Sequence, residues 1–178
     1  MLRLTDGDDA IFLDDRYSVF PDGEGPRVVG IETIDTGAGD NVIWSSSGND
    51  ILNGGAGDDQ VFGGDGDDVL VGSEGHNDLD GSDCIDTVDY SAAAGGLDID
   101  LKDGDAKSEE GDTIDNVENV VGSAFNDEIK GANEDNVLSG GADDDRLNGE
   151  SGADILMGGL GSDHLDGGKG ANFKSQNL

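Results

Sequence analysis

Between Gly54 and Gly72 the chain reads GGAGDDQVFGGDGDDVLVG. These are two nine-residue units back to back, Gly54 to Phe62 and Gly63 to Val71, each running Gly, Gly, any, Gly, any, Asp, any, aliphatic, any. No other feature restricts the fold as tightly. The glycines suit a tight turn in which positive φ and close backbone approach are tolerated, and they oppose a helix. The aliphatic in slot eight, between outward-facing neighbours, suits a very short strand with one side chain pointing in. One such strand cannot bury its apolar face, whereas stacked neighbours can, so the unit implies a solenoid.

The same count extends in both directions. Strict nines beginning at residues 27, 36, 45, 54, 63, 72 and 81 place Ile34, Ile43, Leu52, Val61, Leu70, Leu79 and Val88 in slot eight, and Glu32, Asn41, Asp50, Asp59, Asp68, Asn77 and Asp86 in slot six. A second run beginning at 113, 122, 131, 140, 149, 158 and 167 gives Val120, Ile129, Leu138, Leu147, Leu156, Leu165 and then Lys174 in slot eight, with Glu118, Asp127, Asn136, Asp145, Asp154, Asp163 and Asn172 in slot six. In a chain only 33% hydrophobic, seven aliphatics in phase are not accidental. Aliphatic and acidic phases are locked together, which a merely solvated acidic surface does not require.

Slots one to six pair glycine carbonyls with a carboxylate. A cluster of hard oxygen donors without His or Cys describes a Ca2+ site, which takes about 6–8 oxygens. One turn has too few, and a stack of turns can complete the shell from both sides.

GGAGDDQVF and GGDGDDVLV resemble the RTX, or haemolysin-type, calcium-binding repeat of proteins secreted by Gram-negative bacteria. The resemblance implies an all-β fold, a parallel β-roll solenoid of stacked nonapeptide repeats, with units turning on alternating sides and Ca2+ between turns two units apart. Residues so paired are Asp50 with Asp68, Asp68 with Asp86, Asp127 with Asp145, and Asp145 with Asp163. The mixed pairs are Asn41 with Asp59, Asp59 with Asn77, Asn136 with Asp154, and Asp154 with Asn172. Fewer charges make weaker sites, so about four firm and up to about four looser ions are expected. Gly54, Gly55, Gly57, Gly63, Gly64 and Gly66 are the expected turn ligands through their carbonyls.

The 42 acidic residues against 9 basic ones, a formal charge of -33, explain why a metal is needed: such a chain repels itself when compact. No basic cluster is present to meet nucleic acid or an anionic membrane, and no stretch approaches the ~20 apolar residues of a membrane helix. The single cysteine, Cys84, excludes an intrachain disulfide. The start MLRLTDGDD lacks an apolar signal-peptide core. The resemblance implies type I export, which reads a C-terminal signal, yet the tail NFKSQNL does not read as one, leaving a fragment or a partner-dependent chain as the expectation.

The chain divides into a capping segment over 1–26, a first array over 27–89, a connector over 90–112, a second array over 113–175 and a tail over 176–178. The cap opens on a related unit, Leu4 to Phe12, with Gly7, Asp9 and Ile11 in slots four, six and eight. In the connector, Leu97, Ile99 and Leu101 alternate with Asp98 and Asp100, the pattern of one half-buried strand. Cys84, Phe125, Glu134 and Asp143 replace the slot-four glycine and put their turns' carbonyls in question. His76 and His164, in slots five and seven, lie too far apart in the repeat to share a metal. Trp44 and Phe62, both in slot nine, are expected to stack on one outer face, covered by the cap or open to a protein or glycan partner.

No HExxH, GxSxG or P-loop appears. The expected function is therefore non-enzymatic: a monomeric, secreted or cell-surface module that folds on binding Ca2+. The alternatives are the stabilising or targeting part of a secreted protease, lipase or polysaccharide-modifying enzyme, or an adhesin fragment.

Overall fold

The computed structural model describes residues 1–3, 7, 10–12, 33–102, 105–107 and 111–176. Within them there is no helix, and nineteen strands form two sheets, alternating between them except across β10 to β12. In chain order they are β1 (Leu2–Arg3), β2 (Ala10–Phe12), β3 (Thr33–Asp35), β4 (Val42–Trp44), β5 (Ile51–Asn53), β6 (Gln60–Asp65), β7 (Val69–Val71), β8 (Asp78–Asp83), β9 (Thr87–Asp89), β10 (Asp98–Asp100), β11 (Asp105–Lys107), β12 (Asp112–Asp115), β13 (Asn119–Val121), β14 (Glu128–Lys130), β15 (Val137–Ala142), β16 (Arg146–Asn148), β17 (Ile155–Leu160), β18 (His164–Asp166) and β19 (Phe173–Ser175). One sheet runs β1-β3-β5-β7-β9-β13-β15-β17-β19 and the other β2-β4-β6-β8-β12-β11-β10-β14-β16-β18. The chain is a parallel β-solenoid, as the nine-residue period predicts.

Register follows the repeat. Leu52 lies opposite Ile34 and Leu70, and Val61 opposite Ile43 and Leu79, so slot eight meets slot eight across every such pair. These aliphatics, from Ile34 to Leu156, are buried and form one core between the sheets. The stack begins earlier than residue 27: Leu2 pairs with Ile34, and Ile11, the slot-eight residue of the first related unit, pairs with Ile43. Asp9 and the capping segment after Phe12 lie outside the described residues. At the other end Lys174 takes the slot-eight position opposite Leu156, is exposed, and donates from Nζ to the Leu165 carbonyl at 3.2 Å.

The connector holds more than the one strand its alternation predicts. β10, carrying buried Ile99, pairs parallel with β14, then β11 returns antiparallel to β10 and antiparallel to β12. In the opposite sheet β9 pairs directly with β13, so the two arrays are joined by a continuous sheet on one side and by a three-strand insertion on the other. Thr113, Ile114 and Asp115, turn slots in a strict count from 113, instead form β12 opposite Asp78, Leu79 and Asp80.

Leu70, with no exposed surface, packs in register between Leu52 and Val88. Leu70→Ala is expected to lower the stability of the folded protein by about 2–5 kcal/mol, the range for an unfilled core cavity. Ile155→Ala, at a position 40% exposed, should move it by less than about 1 kcal/mol. Chemical denaturation of the two variants checks the difference.

Candidate metal centre

Slot six closes each turn from inside. In all eight expected pairs, the slot-six backbone N–H of one unit donates to the slot-six side-chain oxygen two units later, at 2.8 to 3.1 Å: Asn41 to Asp59, Asp50 to Asp68, Asp59 to Asn77, Asp68 to Asp86, Asp127 to Asp145, Asn136 to Asp154, Asp145 to Asp163 and Asp154 to Asn172. The ladder also recruits residues outside those pairs. Asn77 N–H donates to Asp112 Oδ1, Asp86 N–H to Glu118 Oε2, and Leu97 N–H to Asp127 Oδ1.

The ladder uses one oxygen of each carboxylate. The second, Oδ2, is buried and accepts no hydrogen bond in Asp59, Asp68, Asp86, Asp145, Asp154 and Asp163. A buried anionic oxygen without a partner is strongly unfavourable, and six in phase call for a cation. Among the described residues Arg3 pairs with Asp35, and Lys130 and Arg146 approach Glu128, away from these oxygens. Burial pushes the Asp68 and Asp145 carboxyls up to about 6 and Asp86 to about 7, and neighbouring carboxylates add to the rise. Asp59 and Asp127 are raised as well, chiefly by burial.

Glycine makes the space for these oxygens. A Cβ on Gly54 would collide with the Asp59 carboxylate, and one on Gly63 with that of Asp68. Gly55, Gly57, Gly64 and Gly66 hold positive φ, between 93° and 136°, and carry the chain through the turn. Turn carbonyls face the same space. Where slot six is Asn41, its Nδ2 donates to the Gly39 carbonyl at 2.8 Å and the Gly54 carbonyl at 3.1 Å. Nδ2 of Asn77 and of Asn136 likewise reaches the Ser73 and Glu118 carbonyls. An amide hydrogen thus reaches the turn carbonyls where slot six is asparagine. Among the described residues no three His, Cys, Asp or Glu side chains converge, so a cation here would be held by carbonyls and paired carboxylates together, a hard-oxygen shell of the calcium type.

Two of the expected ligands, Asp50 and Asp127, already have side-chain partners. Asp50 Oδ2 accepts from Ser45 Oγ, and Asp127 accepts from Ser123 through both its N–H, at 2.6 Å, and its Oγ, at 2.8 Å. Cys84 and Asp143 replace the slot-four glycine while keeping its left-handed backbone, at φ 96° and 67°. His76 and His164 are exposed and distant in the stack. Trp44 and Phe62 do meet on the outer face, with ring centroids 4.7 Å apart and Trp44 48% exposed.

Two features are absent from the expectation. Slot five, read as free, forms an outer ladder running the other way: the N–H groups of Asp58, Asp67, His76 and Asp144 donate to Oδ1 of Asp40, Asn49, Asp58 and Asn126 eighteen residues earlier. The repeated Asp or Asn in slot five is its sequence signal. Asp112, outside any counted unit, is the other: it is buried, and its Oδ2 accepts from Tyr90 Oη at 2.6 Å.

A parallel roll whose glycine turns enclose unneutralised carboxylates defines a class of repeat protein that binds hard divalent cations at its coil junctions. The chain belongs to the RTX calcium-binding nonapeptide repeat family, whose model matches in four copies over residues 29–61, 62–92, 121–156 and 139–173. No curated protein matches it.

Proposed function

We propose that this chain is a non-enzymatic calcium module that folds as Ca2+ fills its turns and works outside the cell. The carrying observation is the set of six buried, unpartnered Oδ2 atoms. Asp59, Asp68, Asp86, Asp145, Asp154 and Asp163 are the principal ligands, with turn carbonyls such as those of Gly54, Gly55, Gly57, Gly63, Gly64 and Gly66. Asn41, Asn77, Asn136 and Asp127 complete neighbouring turns, and the number of ions is on the order of six. Each ion links two coils and offsets repulsion between their carboxylates, so its binding free energy becomes folding free energy. Extracellular modules of this kind bind at roughly 10⁻⁴–10⁻³ M, above the calcium level inside cells. That difference supports a chain that stays open until it is exported, as does its membership of a family typical of secreted Gram-negative proteins.

Equilibrium dialysis with radioactive calcium tests the assignment. Asp68→Ala, which removes the carboxylate that stands between Asp50 and Asp86 in the inner ladder, is expected to lower uptake by about one ion. Asp58→Ala, in the outer slot-five ladder, should leave the count unchanged. Equal losses in both variants, or no uptake by the unaltered chain, would refute the ligand set.

A further inference from the structure

A hydroxyl stands where other turns have a slot-one glycine at Thr36 and Ser45, and again at Tyr90, where the first array's count of nine would continue. Thr36 meets turn carbonyls only, whereas the Ser45 and Tyr90 hydroxyls reach a carboxylate oxygen. Thr36 Oγ1 donates to the Gly54 carbonyl at 2.6 Å, Ser45 Oγ to Asp50 Oδ2, and Tyr90 Oη to Asp112 Oδ2 at 2.6 Å. Accordingly Asp50 and Asp112 are missing from the buried carboxylates left without a partner. The Tyr90 ring, only 1% exposed, lies against Gly72, where any Cβ would strike it, and so fills the volume below that turn.

We infer that the Ser45 and Tyr90 hydroxyls stand in for the cation, so that their turns are closed by a hydrogen bond and bind no calcium. The inference rests on reading the unpartnered carboxylates as calcium ligands, and it locates where along the roll that binding stops. A hydroxyl hydrogen directed at a carboxylate does part of what an ion does: it supplies positive potential at close range and satisfies the lone pair. It adds no net charge and needs no metal. Burial and the Asp112 charge both oppose ionisation of Tyr90, so the donor keeps its proton. The roll is then interrupted by a metal-free turn at Tyr90, beside the three-strand insertion that joins its two arrays. At these two turns slot one is the specificity-determining position: glycine there would admit an ion, and the hydroxyl replaces it.

Calcium counts on the full chain test this. Ser45→Gly and Tyr90→Gly restore the repeat's own first residue, clear the space and remove the hydroxyl donor, so each variant is expected to bind about one ion more than the unaltered chain. Ser45→Ala removes the donor while keeping a Cβ in the way, and should gain none. Should Tyr90→Gly fail to fold, the Ser45 pair decides the matter. Unchanged counts in the glycine variants, beside normal uptake by the unaltered chain, overturn the hydroxyl-for-cation exchange alone. No uptake by any of them overturns the calcium reading and takes this inference with it.

Discussion

Stripped of calcium at pH 7.5, the protein is expected to lose its β-sheet circular dichroism and expand, and to recover both when millimolar Ca2+ returns. The magnitude follows from linkage. At a hundredfold excess over its dissociation constant, each site stabilises the folded form by about 2.7 kcal/mol, so six sites outweigh the net stability of about 5–15 kcal/mol typical of a whole domain. Acid should act in opposite directions on the two forms. Asp68, Asp86 and Asp145 hold their protons up to about 6, 7 and 6 in the ion-free fold, against about 3.9 for an exposed aspartate. Between roughly pH 4 and 7 the folded chain therefore binds more protons than the unfolded one, and its stability falls as pH rises through that window. Calcium-free protein should consequently show more β signal at pH 4.5 than at 7.5. Calcium-loaded protein should lose affinity on acidification, because protons compete for the same oxygens. Dichroism of resin-stripped and calcium-saturated samples across this range checks both. An ion-free chain fully folded at pH 7.5 would contradict the mechanism.

The second large effect is expected from a single methyl group. Gly55 adopts φ 93°, and a Cβ there would overlap the carbonyl oxygen of Gly37, which itself accepts the Ala56 N–H at 2.9 Å. Gly55→Ala faces the left-handed penalty of about 1–2 kcal/mol and must also displace a bonded backbone carbonyl. The total loss is on the order of 3–5 kcal/mol, or about 10 °C in the melting temperature of the calcium-loaded form. Gly95→Ala is the control: a Cβ there has open space around it, and the shift should stay within about 0.5 kcal/mol. Comparable melting curves for the two variants would show that the turn tolerates a side chain.

Most of this architecture was readable because one period carries three kinds of information at once. Slot eight fixed the core, slot six the inner ladder, and an eighteen-residue offset the pairing, since two units make one coil. What escaped notice lies where counting along the chain and pairing across the sheets part company. The β11 return puts residues 113–115 into a strand opposite β8 and brings Asp112 into the slot-six column, although it precedes the first counted unit of the second array. Tyr90 could not be read as a closing group for the same reason: its partner is 22 residues away, an offset belonging to no repeat. The slot-five ladder was hidden differently. Asp and Asn in an outward slot of so acidic a chain look like solvated charge, and only the backbone N–H eighteen residues later gives them a task.

The inner and outer ladders lean in opposite senses, one passing hydrogens forward along the chain and the other passing them back. Neighbouring coils are therefore braced against sliding either way, while each coil depends only on the two beside it. Under tension between its ends, such a spring would come undone one winding at a time from its flanks, with the joint beneath Tyr90 as the irregular step between two runs of equal ones.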